Sequence, residues 1–134
     1  MANIVEIEGV GETYAQTLHG AGITTTELLL EKGATPKGRE EIAGATGISD
    51  RLVLKWVNHA DLFRIKGVAG EYAELLEAAG VDTVAELAQR NAANLTKALN
   101  DVNEAKKLVR RVPTETQVAD WTAEAKTLPR KVTY

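Results

Sequence analysis

Two short glycine-bearing stretches are the parts of this sequence best suited to hold a ligand: Gly9-Val10-Gly11 and Gly67-Val68-Ala69-Gly70. In the first, Gly-apolar-Gly followed by Ala15 and Leu18 is the pattern of a tight hairpin opening onto a helix. Backbone N–H groups at such a helix start point outward and suit a phosphate oxygen. Contact of that kind positions a nucleic-acid backbone without reading its bases. The neighbouring residues oppose it. Glu8 lies inside the hairpin, and Glu12 and Thr13 stand where a backbone binder would carry Lys or Arg. Carboxylates beside a phosphate repel it, most strongly at low salt. The second hairpin has Ala69 in place of the second glycine and is flanked by Arg64 and Lys66. Lys106, Lys107, Arg110 and Arg111 add cations in the same half, read as one face of a helix over 104–112 that Pro113 ends. With Arg64 and Lys66 they make a candidate contact surface for nucleic acid or an acidic protein. A solvated helix face is the competing reading of such a run.

Catalytic chemistry finds less support. Ser49 is the single serine and reads as a helix cap, and there is no cysteine to act as nucleophile or metal ligand. His19 and His59 fall in different segments without metal-ligand spacing; His19 is expected on an exposed helix face, and His59 beside Asp61 in a linker. Glu40 and Glu41 are adjacent on a helix, so their carboxylates diverge instead of converging on a substrate. Gly9-Val10-Gly11 lacks the preceding strand and full spacing of a dinucleotide site. No catalytic residue, metal ligand, cofactor or small-molecule substrate is therefore expected.

The elements that must carry the hairpins emerge from an internal repeat. Residues 7–29 align with 65–87 at a constant offset of 58, without gaps, and ten of twenty-three positions are identical. Tyr14, Leu18 and Ala21, repeated as Tyr72, Leu76 and Ala79, form one apolar stripe at helical spacing. Gly22 and Gly80 stand where a helix stop needs a left-handed residue. Thr24–Glu27 and Thr83–Glu86 read as capping boxes opening the next helix. Further helices are predicted over 39–46 and, capped by Ser49 after Gly47-Ile48, over 49–58 with Leu52, Val53 and Trp56 inward. Asn91 or Asn94 caps another running toward Val102. Thr114–Gln117 is a capping box for a last helix carrying Val118, Trp121 and Ala125, with Pro129 as its stop and a short basic tail, Arg130-Lys131, beyond. Trp56 and Trp121 are the expected anchors of the two cores. This predicts an all-α fold of tandem helix-hairpin-helix repeats, about eight to nine short helices in halves 1–60 and 61–134. The halves share one core, since each alone is small.

Composition agrees. Hydrophobic residues at 44% and charged residues at 26% fit a globular chain, and aromatics at 4% favour helix packing over sheets. No run approaches a membrane span. Absent a basic region followed by an apolar stretch at the start, and absent cysteine, a cytoplasmic protein is expected. The net charge of −3 arises in residues 1–60, with five Lys/Arg against eight Asp/Glu, whereas residues 105–134 carry seven against three. That is short of the basic excess of a dedicated nucleic-acid binder.

Residues 7–29, 39–58 and 61–87, with the stretch Trp56–Val68, resemble a bacterial domain family of unknown function built from helix-hairpin-helix-like repeats. The resemblance implies the fold over essentially the whole chain and no activity. More distantly, the hairpins are similar to those of DNA-repair and recombination proteins, which grip phosphates. Two functions follow as expectations. The first is a non-enzymatic module that binds a protein partner or itself, and the alternative is a sequence-independent DNA or RNA backbone binder using the second hairpin and the Lys106–Arg111 face.

Overall fold

The computed structural model describes Ala2–Tyr134. Among these residues lie eight α-helices, a 3-10 turn at Ile4–Glu6 and no strand beyond an isolated antiparallel bridge between Asn3 and Thr25. The chain is all-α, as its periodicity predicts. No helix of the described residues is long and apolar enough to cross a membrane. Two compact units divide it: Met1–Asp61 together with Lys131–Tyr134, and Leu62–Arg130.

The first unit contains α1 (Gly11–Gly20), α2 (Thr26–Gly33), α3 (Pro36–Thr46) and most of α4 (Asp50–Leu62). Three of the four starts have a side-chain cap. Thr35 caps α3 through the Gly38 N–H, and Pro36 occupies the first helical position, where its missing N–H costs nothing. Gly47, at φ +76°, stops α3, and the Ser49 hydroxyl accepts the Leu52 N–H at 3.3 Å to open α4, as predicted. The cap of α2 is Thr25 and not Thr24: its hydroxyl accepts the Leu28 N–H at 3.2 Å. The displacement follows from the chain start. The Thr24 carbonyl accepts the Ile4 N–H and the Thr26 N–H donates to the Ala2 carbonyl. Thr25 between them is therefore held extended, and Glu27 falls outside the box position. The core gathers Ile4, Ile7, Val10, Leu18, Ile23, Leu29, Val53, Trp56 and Val57, all at most 2% exposed.

The last four residues close this unit instead of forming a free basic tail. Val132 is 1% exposed, and the Thr133 N–H donates to the Ala34 carbonyl at 2.8 Å. Arg39, itself 7% exposed, donates to the carbonyls of Gly33 (2.9 Å), Ala34 (3.1 Å) and Thr133 (2.7 Å). Its guanidinium thus joins the C-terminal end of α2, where carbonyls lack helical partners, to the final segment. The Tyr134 ring lies 5.8 Å from the same guanidinium, and its hydroxyl donates to Asn58 Oδ1 at 3.3 Å. Burial lowers the Arg39 pKa, Tyr134 opposes that, and the group stays a cation.

The second unit holds α5 (Gly70–Ala78), α6 (Val84–Leu87), α7 (Ala92–Lys106) and α8 (Glu115–Ala125). Asn91 caps α7 through the Asn94 N–H, and Thr114 with Gln117 forms the predicted capping box of α8. Thr83 caps α6, but the Glu86 carboxylate meets the Thr83 hydroxyl and not its backbone N–H. The core runs through Leu62, Ile65, Leu75, Leu76, Val81, Leu87, Leu95, Leu99, Val118 and Trp121, each 3% exposed or less.

One predicted helix is absent. Residues 104–106 finish α7, and 107–114 run as an irregular segment, so Lys106, Lys107, Arg110 and Arg111 do not share a helical face. Three local causes combine. Lys107 adopts φ +54°, ψ +48° and ends the helix; Val112 precedes a proline, which disfavours helical backbone; and Val109 is β-branched.

Replacing Arg39 with Ala leaves three carbonyls without their charged donor and should cost about 2–4 kcal/mol. Urea unfolding followed by circular dichroism should show that loss as a lower midpoint, with Arg39→Lys between wild type and Ala because an ammonium lacks the planar fork.

Candidate functional site

The two glycine turns superpose in their bonding, position for position. The Ile7 N–H donates to the Ile4 carbonyl and the Val10 N–H to that of Ile7, each at 3.2 Å; the Ile65 and Val68 N–H groups repeat this at 3.1 Å. Gly9 and Gly67 take φ +91° and +89°, which only glycine adopts without strain. Each turn presses against a tryptophan from the last helix of its unit. A methyl group added at Gly9 would lie 3.8 Å from Trp56 Nε1, and one at Gly67 would lie 3.4 Å from Trp121 Nε1. The following helix supplies a tyrosine to the same indole. Tyr14 meets Trp56 edge-on at 5.0 Å, and Tyr72 meets Trp121 at 5.3 Å. Pairs of this geometry contribute about 0.5–1.5 kcal/mol beyond burial.

The copies part at the second motif position. Gly11 has φ +64° and already belongs to α1, whereas Ala69 is extended at φ −124° and α5 starts one residue later. Their electrostatics differ as well. In the first turn Glu8, Gly9, Gly11 and Glu12 are all exposed, so two carboxylates flank the glycines. In the second, the Lys66 N–H donates to Glu124 Oε1 at 3.0 Å. Lys66, Gly67, Gln117, Asp120, Trp121 and Glu124 line one open recess there. A carboxylate thus occupies a turn N–H that an incoming anion would need, with a second carboxylate alongside. Sequence reasoning missed this. The link spans 58 residues, and nothing in the spacing of α8 marks Glu124 as a partner of the turn.

The predicted cations are split. Arg64 is half-buried and Lys66 is exposed in the acidic recess, while Lys106, Lys107, Arg110 and Arg111 are all exposed at the end of α7 and along the segment after it. That segment is firmly tied. The Asn103 side chain brackets Val109, donating to its carbonyl at 3.1 Å and accepting its N–H at 2.9 Å. The Tyr72 hydroxyl donates to the Arg111 carbonyl at 3.0 Å, and Val109 and Pro113 are buried. The outcome is a basic ledge held by its backbone, with its side chains left in solvent. Of the two histidines, His19 is exposed as expected. His59 is fully buried near the end of α4, with Asp61 1% exposed, so neither occupies a linker.

A family model described as Domain of unknown function (DUF4332) matches residues 8–128, from the first turn to the residues just past α8. The chain belongs to that family. The DUF4332 match takes in both glycine turns and both tryptophans, so the doublet lies within the family's extent. No curated protein and no solved structure matches the chain.

If Asn103 fixes the ledge, Asn103→Ala removes two hydrogen bonds of about 1 kcal/mol each and opens the segment locally. Trypsin, which cuts after Lys and Arg, should then cleave at 106–111 about 5–30 times faster than in wild type, the factor that one to two kcal/mol represents. Mass spectrometry of the fragments locates the cut, and equal rates would show that the bracket contributes nothing.

Proposed function

We propose that the chain is a non-enzymatic interaction module in which a helix-hairpin-helix scaffold serves as structure and the ligand is a protein or a second copy of the chain. The observation that carries this reading is the Glu124 carboxylate on the Lys66 N–H. A phosphate oxygen reaching the second turn must displace one carboxylate and tolerate Asp120, an exchange of one anion for another that gains nothing. The first turn offers Glu8 and Glu12 instead of cations. The positive φ of each glycine and the buried indole packed beside it account for both turns without a ligand.

The second reading, contact with a DNA or RNA backbone, retains one favourable observation: the four exposed cations of the ledge. The two readings separate on binding of fluorescent duplex and single-stranded DNA and RNA at low and physiological salt. The module reading expects no binding at either. A backbone binder would instead show affinity that falls linearly on a log–log salt plot, with a slope set by the phosphates neutralised, and would lose it in the double variant Arg110→Glu, Arg111→Glu. That result would overturn the proposed function.

A further inference from the structure

The charge of the molecule is divided between its two units. Residues 1–61 with 131–134 carry six Lys/Arg against nine Asp/Glu, a balance of −3, whereas residues 62–130 carry ten of each. Within the neutral unit the cations are gathered. Lys106, Lys107, Arg110 and Arg111 lie within six residues, all exposed, and among the described residues none of the four forms an ion pair. Within the acidic unit the first turn presents Glu8 and Glu12 on either side of Gly9 and Gly11, again exposed and without an ion pair among the described residues. The copies carry opposite charge at one matched place. The turn position that is Glu8 in the first copy is Lys66 in the second.

The ledge itself belongs to one copy only. From the left-handed stop of α3 to the cap of α4, Gly47 to Ser49, the first unit has a single intervening residue. The matching stretch from Lys107 to Thr114 holds six, and these include Arg110 and Arg111. A floppy insertion would lose much of its binding energy to ordering. This one is held in advance by Asn103 on Val109 and by Tyr72 on the Arg111 carbonyl, so little further backbone entropy is lost when its side chains meet a partner. The acidic turn is equally fixed, by its own hydrogen bonds and by Trp56. Beside it, Val5 and Tyr14 are the large apolar residues left exposed in the same stretch of chain, at 44% and 38%. An exposed tyrosine is among the residues enriched in protein interfaces.

We infer that the basic ledge Lys106–Arg111 of one molecule docks on the acidic first turn, Glu8 to Tyr14, of a second copy of the chain. This rests on the proposed function and names the partner for it. The contact joins two different patches. It therefore propagates from copy to copy or closes when two molecules exchange it, and in either case the protein self-associates. Rim cations and carboxylates of this type set on-rate and salt dependence more than depth of affinity. The assembly is accordingly strongest at low ionic strength.

Light scattering coupled to sizing chromatography tests it on the full chain. At about 0.01 M salt, where the screening length is about 30 Å, the apparent mass should rise with concentration above the 14.4 kDa monomer. At about 1 M salt, where that length is about 3 Å, it should return to the monomer. The double variants Arg110→Glu, Arg111→Glu and Glu8→Lys, Glu12→Lys should each remain monomeric at low salt with unchanged helical circular dichroism, because all four side chains are exposed. Mixed together they should associate, since each variant then supplies the charge the other has reversed. A wild-type monomer at every concentration and salt would overturn the inference while leaving the proposed function standing. So would self-association indifferent to both double variants. Nucleic-acid binding lost in Arg110→Glu, Arg111→Glu by a chain that stays monomeric would overturn both and give the ledge to a phosphate backbone.

Discussion

Everything in each unit turns on an indole packed against a glycine. A backbone that reverses direction at a positive φ favours glycine at the reversal, and here each reversal lies against a large aromatic ring. Gly9 against Trp56 and Gly67 against Trp121 meet that description twice, at the same dihedral to within a few degrees. The tryptophan is in turn held by the tyrosine of the helix that the turn launches, so turn, first helix and last helix of a unit are fixed by one contact. Residues distant in sequence are brought together by it: 47 positions separate Gly9 from Trp56, and 54 separate Gly67 from Trp121.

Given that shared frame, the differences between the copies are where function has room to reside. A glycine that is free to enter α1 becomes an extended alanine ahead of α5, and the helix start moves by one residue. The connection between the third and fourth helices lengthens and acquires cations. The left-handed stop changes from glycine to Lys107, the one non-glycine residue among those described with a positive φ. A lysine in that conformation carries a strain of roughly 1–2 kcal/mol that glycine would not. It is tolerated where the Asn103 bracket fixes the following backbone.

Much of this was legible in the residues. Repetition of Ile, Gly, Val, Tyr, Ala and Leu at a fixed offset announced two equivalent turns and helices, and Ser49 and Thr114 announced their caps, with Asn91 one of two asparagines read for a third, because capping depends on side chains within three positions of the helix start. What stayed hidden depends on partners far along the chain. Thr24, with Glu27 three positions on, read as the cap of α2, and the pairing of Ala2 and Ile4 with the backbone there moves the cap to Thr25. The run Glu104–Val112 has helical composition through Lys107, and the left-handed Lys107, the β-branched Val109 and the proline after Val112 turn the rest away from a helix. Arg39, read as an ordinary helix-start residue, proves to be the buried clamp of the final segment, and Glu124 the carboxylate on the second turn. Neither role leaves a mark in local spacing.

The return of residues 131–134 to the unit that begins the chain has a consequence for how the molecule is made. During synthesis the amino-terminal half emerges first, yet the slot that Val132 fills and the carbonyl that Arg39 awaits at Thr133 are supplied only by the final residues. The half that is translated earlier is thus completed only after residues 62–130 have emerged. Until then its guanidinium must find water or a substitute partner.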